Sequence, residues 1–153
     1  MASLKAQKAT VPAFMPNDGR GVFLTDKAVL GAASGGGLGT PVATDTIDFL
    51  VPAGFQLCNL AFVLDDCDTG AAFVFSAGYR PASSGSALPA VTNYFAPTGQ
   101  TVGQAGGRLQ CSFKPIQFDE DVFVQLLVGT GPAGISGNPE IHMIAEGNCR
   151  GPK

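Results

Sequence analysis

Apolar residues recur at every second position in several short runs along the chain. The clearest runs have these apolar members: Cys58, Leu60, Phe62 and Leu64 in one, Val122, Val124, Leu126 and Val128 in another, and Ile141, Met143 and Ala145 in a last one. A period of two residues is typical of strands with one buried face. Turn-rich stretches separate the runs, and none of them has the period of an amphipathic helix. The pattern predicts about seven or eight strands in an all-β, jelly-roll-like β-sandwich.

Two of these runs support more specific predictions. Alternating strands flank the polar turn 65–70, and Asp and Gly favour turns, so residues 58–77 predict a β-hairpin. In the run 122–128 the second side is also apolar, because Phe123 and Leu127 alternate with the first set. Such a strand is either central in its sheet or covered by another subunit.

Prolines and turn residues define the predicted domain limits. Pro12 and Pro16 remove backbone donors, which excludes a helix or a central strand around them. We therefore expect an irregular, Pro-containing N-terminal arm over residues 1–24, a β-sandwich domain over 25–146 and a C-terminal tail over 147–153.

The predicted arm also contains large apolar side chains. Phe14, Met15 and Phe23 either cover the open edge of the sandwich or dock onto a neighbouring protein. A segment that proline has already restricted loses little conformational entropy on docking. These three residues are our candidate anchors for contact with a partner.

Composition favours a protein that contacts other proteins. Charged residues make up 14% of the chain, against about 25% in a typical soluble domain. A surface with so few charges must expose small polar and apolar groups, which suits repeated contacts between chains. The alternative is that low charge only reflects long loops, because the chain has 21 glycines and 11 prolines.

The charge pattern argues against nucleic-acid and membrane partners. The net charge is −3, and the basic residues are scattered, with only Lys5 and Lys8 close together. Nucleic-acid binding requires a basic stripe. No apolar run approaches the ~18 residues of a membrane span, and the N-terminus lacks the apolar core of a secretory signal, so we expect synthesis in a cytoplasm.

Candidate metal and redox chemistry is sparse. The widely spaced Cys58, Cys67, Cys111 and Cys149 form no zinc motif. Free thiols are expected without export, with Cys58 and Cys111 as small core residues, although Cys149 could still bond another cysteine. The carboxylates at 65–68 could in principle bind calcium, but the full calcium loop is missing and a polar turn accounts for Asp and Gly by backbone preference alone, so we favour the turn.

Candidate catalytic chemistry is equally sparse. His142 is the single histidine, and no nucleophile motif accompanies it. We therefore predict a chain that is not an enzyme and has no cofactor and no catalytic or metal site.

The order of several short motifs resembles a known family. They are VPAFMPNDGRG at 11–21, IDFLVPAG at 47–54, LDDCDTG at 64–70, TVGQAGG at 101–107 and the strand at 122–128. This order is similar to that of the head decoration, or cement, proteins of tailed bacteriophages, over about residues 11–146.

The resemblance implies a non-enzymatic virion protein on the outer capsid surface, made in the host cytoplasm. Such a protein would bind the major capsid protein and stabilise the head, as a homotrimer rather than a homodimer. An alternative from another class is a carbohydrate- or host-binding module of a phage tail or fibre. That module would need exposed aromatic residues, for which Tyr79, Tyr94 and Phe95 are the candidates.

Overall fold

Ten β-strands make up most of this computed structural model, which describes residues 3–5, 21–31 and 37–149. In chain order the strands are β1 (Ser3–Lys5), β2 (Gly21–Val29), β3 (Thr46–Val51), β4 (Phe55–Leu64), β5 (Val74–Pro81), β6 (Val91–Gln100), β7 (Gly107–Gln110), β8 (Ile116–Gln117), β9 (Val122–Thr130) and β10 (Glu140–Cys149). A short 3₁₀ turn, Val102–Gln104, is the one helical element in those ranges. The predicted all-β class is confirmed.

The strands form two sheets with nested pairing. Sheet 1 has the order β1-β3-β9-β5-β6, and sheet 2 has the order β2-β10-β4-β7, with β8 also pairing with β4. Early strands pair antiparallel with late ones: β2 with β10, β3 with β9 and β4 with β7, around the β5–β6 pair. This is the strand arrangement of a jelly roll, so the predicted jelly-roll-like sandwich is confirmed.

The core lies between the sheets and is rich in phenylalanine. Alternate side chains of each strand point inward, as the period-two pattern requires. Phe49 of β3 and Phe62 of β4 meet across the core with ring centroids 5.7 Å apart. The predicted central strand is confirmed, because β9 lies between β3 and β5 and its inward residues Val122, Val124 and Leu126 are fully buried.

The predicted hairpin of residues 58–77 is wrong. β4 lies in sheet 2 and β5 in sheet 1, so the chain crosses the sandwich between them instead of folding back. Nine residues, 65–73, separate the two strands, which is longer than the two to five residues usual for a hairpin loop. Each strand pairs instead with strands distant in sequence, which a local pattern does not reveal.

A β-bulge in β4 changes which side chains face the core. Leu57 pairs with Gly147 and Asn59 with Glu146, which leaves Cys58 as an extra residue in β4. Inward-facing positions therefore shift by one residue at the bulge. The expectation that Cys58 is a core residue is wrong, because its side chain is exposed, whereas Cys111 is buried as expected.

Both predicted ends of the sandwich domain lie inside strands. β2 begins at Gly21, so its first four residues fall in the segment assigned to the arm. β10 continues to Cys149, which pairs with Phe55, so the assigned tail contributes three residues to sheet 2. In the sequence, the polar Asp26 and Lys27 interrupt the alternation of apolar residues in β2. The glycine at position 147 suggested that the last strand ends there.

Candidate functional site

The outward face of sheet 1 is largely closed to solvent. Five of its outward side chains on β3, β5 and β9 are at most 5% exposed, and four others, Leu50, Val74, Arg80 and Leu127, are partly exposed; the five are Thr46, Asp48, Ser76, Phe123 and Gln125. Part of the cover comes from β6, whose irregular pairing with β5 brings its backbone over Gly78. The Ser76 hydroxyl donates a hydrogen bond of 2.9 Å to the carbonyl oxygen of Thr92. This face has little accessible surface for a partner.

An ion pair lies within this closed face. The Arg80 guanidinium donates to the Asp48 carboxylate over 2.7 Å, and Asp48 has no solvent exposure. The same guanidinium lies 4.6 Å from the centroid of the Phe123 ring, within cation–π distance. These contacts couple β3, β5 and β9, and we assign them a structural role.

The outward face of sheet 2 is more open. Phe23 of β2 is 70% exposed, although large apolar residues are usually covered. Across the strands it pairs with Glu146 of β10, and the next outward pair is Thr25 with Ile144. Ile144 pairs in turn with Ala61 of β4. An apolar stripe thus runs diagonally from Phe23 across β10 to β4, and we call it the sheet 2 stripe: Phe23, Ile144, Ala61 and Val63.

Of the three anchors predicted from the sequence, one can be placed. Phe23 lies on the sheet 2 stripe, while Phe14 and Met15 lie outside the described residues. Sequence reasoning missed Ile144 and Val63, which are partly buried on the outward side. The available signal was Ile144 itself, an apolar residue between the polar positions 142 and 146 on the outward side of β10.

A charge cluster borders the stripe on one side. Lys27 Nζ lies 2.6 Å from one carboxylate oxygen of Glu140, and His142 Nε2 lies 2.8 Å from the other. The hydrogen bond from Lys27 lowers the pKa of Glu140, and the one with His142 lowers it further, although burial opposes both. His142 thus belongs to a surface ion-pair cluster on the outward side of sheet 2.

The acidic turn after β4 is organised around its own backbone. Both oxygens of Asp68 accept backbone N–H donors, from Gly70 at 2.9 Å and Ala133 at 2.8 Å on one oxygen and from Ala72 and Phe73 on the other. Asp66 accepts from the Asp68 N–H. Within the described ranges no group of three or more His, Cys, Asp or Glu side chains could hold a metal ion. The Asp68 carboxylate therefore fixes the conformation of this loop through four backbone hydrogen bonds, and we call this arrangement the Asp68 clamp.

Because of this clamp, the Asp68 carboxylate should stabilise the fold in a pH-dependent way. Burial would raise the pKa of Asp68, but its four backbone donors lower it below the ordinary value. The stabilisation is present above the unfolded-state pKa of about 3.9 and is lost as pH falls through the folded-state pKa. We expect Asp68→Asn, whose amide N–H₂ must face two N–H donors, to lower the thermal midpoint at pH 7 by roughly 5 °C or more.

The control for this prediction is Asp119→Asn, which neutralises an exposed carboxylate in another loop. Thermal unfolding followed by circular dichroism from pH 7 to pH 3 compares the three proteins. The difference between wild type and Asp68→Asn should shrink as the pH falls. Equal losses for the two variants at pH 7 would contradict the clamp.

The thiols differ sharply in exposure. All four cysteines are free, including Cys149, and Cys58 alone is exposed. Burial raises the pKa of Cys111 to about 12, and burial with nearby aspartates raises the pKa of Cys67 to about 12. Since the thiolate is the reactive form, Cys58 is the position for selective modification of the native protein.

The aromatic residues considered for carbohydrate binding pack against one another. The Tyr79 and Tyr94 ring centroids are 5.4 Å apart, and those of Phe95 and Phe113 are 4.9 Å apart. Tyr79 and Phe95 are buried, and burial raises the pKa of Tyr79. These rings form an aromatic cluster at the side of the core.

In the described part of the chain, no helix is long and apolar enough to cross a membrane.

Comparison with known proteins identifies the fold. No protein-family model and no curated protein sequence matches the chain. Among solved structures, a chain from the capsid of Ralstonia phage GP4 is similar, with a TM-score of 0.73 and 20% identity, over 99% of this chain and 100% of that one. A chain from the cyanophage Pam1 capsid asymmetric unit has a TM-score of 0.57 and 13% identity, over 92% and 95%. The chain thus shares its fold with chains found in phage capsids.

Proposed function

We propose that this chain is a non-enzymatic structural protein of a phage head that decorates the outer surface of the shell. It would bind the major capsid protein as a homo-oligomer, a trimer in preference to a dimer. The observation that carries the proposal is the end-to-end similarity of its fold to a chain from the capsid of Ralstonia phage GP4. The similarity concerns the fold, and from it we infer the location on the outer capsid surface and the major capsid protein as the partner.

The surface chemistry supports the same function. Charged residues make up 14% of the chain, and Phe23 is exposed on a regular sheet. Many copies on a repetitive lattice can each make a modest contact and still stabilise it together. The alternative of a carbohydrate-binding module gains no support, because its aromatic candidates lie in the packed cluster around Tyr79.

Co-sedimentation tests the proposal directly. Purified protein is added to undecorated shells assembled from the cognate major capsid protein, and the shells are pelleted. We expect saturable binding at a fixed ratio to capsid subunits, because each lattice position offers the same site. Shells already carrying the protein are the control and should bind almost no more. Absence of binding at micromolar protein would refute the decoration role.

The same assay tests the arm that contains Phe14 and Met15. The truncation should stop at residue 20, because β2 begins at Gly21 and its Leu24 is part of the core. The truncation also removes β1, which pairs with β3 at the edge of sheet 1, so we expect weaker shell binding with the β-sheet circular dichroism retained apart from this short strand. Undiminished binding by this truncation would refute an anchoring role for the two residues, while leaving the decoration role intact.

A further inference from the structure

The two outward faces of the sandwich differ in what they offer a partner. On sheet 1 most outward residues of the three middle strands, including Asp48 and Phe123, are at most 5% exposed, and Leu50 and Leu127 are only partly exposed. On sheet 2, Phe23 is 70% exposed, and Ile144 and Val63 are partly exposed along the stripe that leads from it. Of the two sheet faces, sheet 2 thus offers a partner the more exposed apolar anchor.

The charges around the stripe show which partner chemistry fits. Lys27 forms an ion pair with Glu140 within the protein, and His142 lies within hydrogen-bond distance of the same carboxylate. Glu146, by contrast, makes no hydrogen bond or ion pair with any of the residues that the structure describes, and it lies directly across from Phe23. Side chains paired in this way have Cβ atoms about 5 Å apart. The open face thus combines an exposed ring with an adjacent carboxylate that has no charge partner among the described residues.

A second copy of the chain fits this pair of residues poorly. In a two-fold dimer centred on Phe23, the patch offers Glu146 no cation, because Lys27 is paired with Glu140 and Arg108 lies on β7 at the far edge of the sheet. An axis along the line from Phe23 to Glu146 would also bring the two carboxylates together. Like charges in a desolvated contact cost several kcal/mol. A complementary surface must instead provide an apolar pocket for the ring and a cation at the edge of that pocket.

We infer that the outward face of sheet 2, centred on Phe23 and Glu146, binds a protein surface that has an apolar pocket bordered by a Lys or Arg side chain. This inference rests on the proposed function, so the surface belongs to the shell. Phe23 supplies the buried anchor, and Glu146 sets the orientation through its charge partner. The partly exposed members of the stripe, Ile144 and Val63, then pack against the partner, whereas Ala61 is already buried within the chain.

Binding of surface variants to undecorated shells tests the inference. Phe23→Ala removes the anchor, and Glu146→Lys reverses the charge. We expect each to weaken the apparent affinity at least tenfold, as is usual for the loss of a central aromatic anchor or of a charge partner. The matched control is Val42→Ala, which shortens another large exposed apolar residue, 60% exposed, in the loop before β3. It should bind like the wild type.

Alkylation of Cys58 gives a second readout that needs no substitution. Its exposed thiol lies beside Asn59, which pairs with Glu146 at the same end of the face, and the other three thiols are buried. We expect the thiol to react at least tenfold more slowly on the shell than in free protein. An unchanged rate together with full binding by Phe23→Ala and Glu146→Lys would overturn the inference.

The outcomes separate this inference from the proposed function. Wild-type binding with loss in both variants supports both proposals. If both variants bind the shell as tightly as the wild type does, the sheet 2 face is not the binding surface, and the proposed decoration role is unaffected. Absence of wild-type binding refutes the decoration role and the shell as partner. If the two variants instead abolish self-association in sedimentation velocity while shell binding persists, a second copy occupies the face and the inference is wrong.

Discussion

Replacing Gly147 with alanine is expected to lower the free energy of unfolding by about 3 kcal/mol or more. A Cβ at this position would lie 2.0 Å from the carbonyl oxygen of Gln56 and 2.8 Å from a ring carbon of Phe55. No flexible side chain end can relieve the first contact, because the oxygen belongs to the backbone of β4. The change should therefore force β4 and β10 apart at the bulge around Cys58. Chemical denaturation measures the effect.

The matched control is Gly21→Ala on the adjacent strand. Gly21 pairs with Asn148, one residue from Gly147, but a Cβ there meets no atom within 4 Å. This variant should stay within about 0.5 kcal/mol of the wild type. Similar stabilities for the two variants would show that β10 does not pack against β4 at this end of the sheet.

Replacing Arg80 with leucine should be comparably harmful, at about 3 kcal/mol. The change removes a guanidinium 2.7 Å from a carboxylate with no solvent exposure, and with it the stacking on Phe123. Arg80 is partly exposed, but removing it is costly because the buried Asp48 carboxylate stays in a poorly solvated place without it. Urea denaturation of the purified variant measures the loss.

A double-mutant cycle separates the ion pair from packing. Asp48→Leu combined with Arg80→Leu removes both charges, so the double variant should lose less stability than the sum of the single ones. The coupling should reach about 1–3 kcal/mol, as for other residues in direct contact. Strictly additive losses would mean that the pair contributes nothing and that Arg80 acts only through its packing on Phe123.

The alternation of apolar residues was enough to predict the class of fold, because one buried face per strand is a local requirement. It also marked β9 as either central in its sheet or covered by another subunit, since Phe123 and Leu127 made its second side apolar, and the structure shows the first. Which strands pair with one another was harder to predict from the sequence. The turn after β4 has the composition of a hairpin turn, yet the Asp68 clamp shapes a long crossover between sheets. Turn composition describes the bend and says nothing of which sheet the next strand joins.

The candidate surface was predictable only in part. Phe23 stood out as an apolar residue in a polar segment, and it is exposed as a docking residue would be. The rest of the stripe depends on register: Ile144 lies near Phe23 because β10 pairs with β2, although the two residues are far apart in sequence. The bulge at Cys58 shifts the outward set of β4, and no composition signal marks an inserted residue. The closed face of sheet 1 likewise depends on β6 covering Gly78.

The nested pairing of the strands also bears on how the protein is made. β10, the last strand of the described chain, lies in the interior of sheet 2 between β2 and β4. Until β10 has been synthesised, the edges of β2 and β4 that later pair with it remain unpaired. Folds dominated by such distant pairings form slowly. Glu146 and Ile144 arrive with that same strand. A chain whose translation stops early therefore lacks both the closed sheet and the complete stripe.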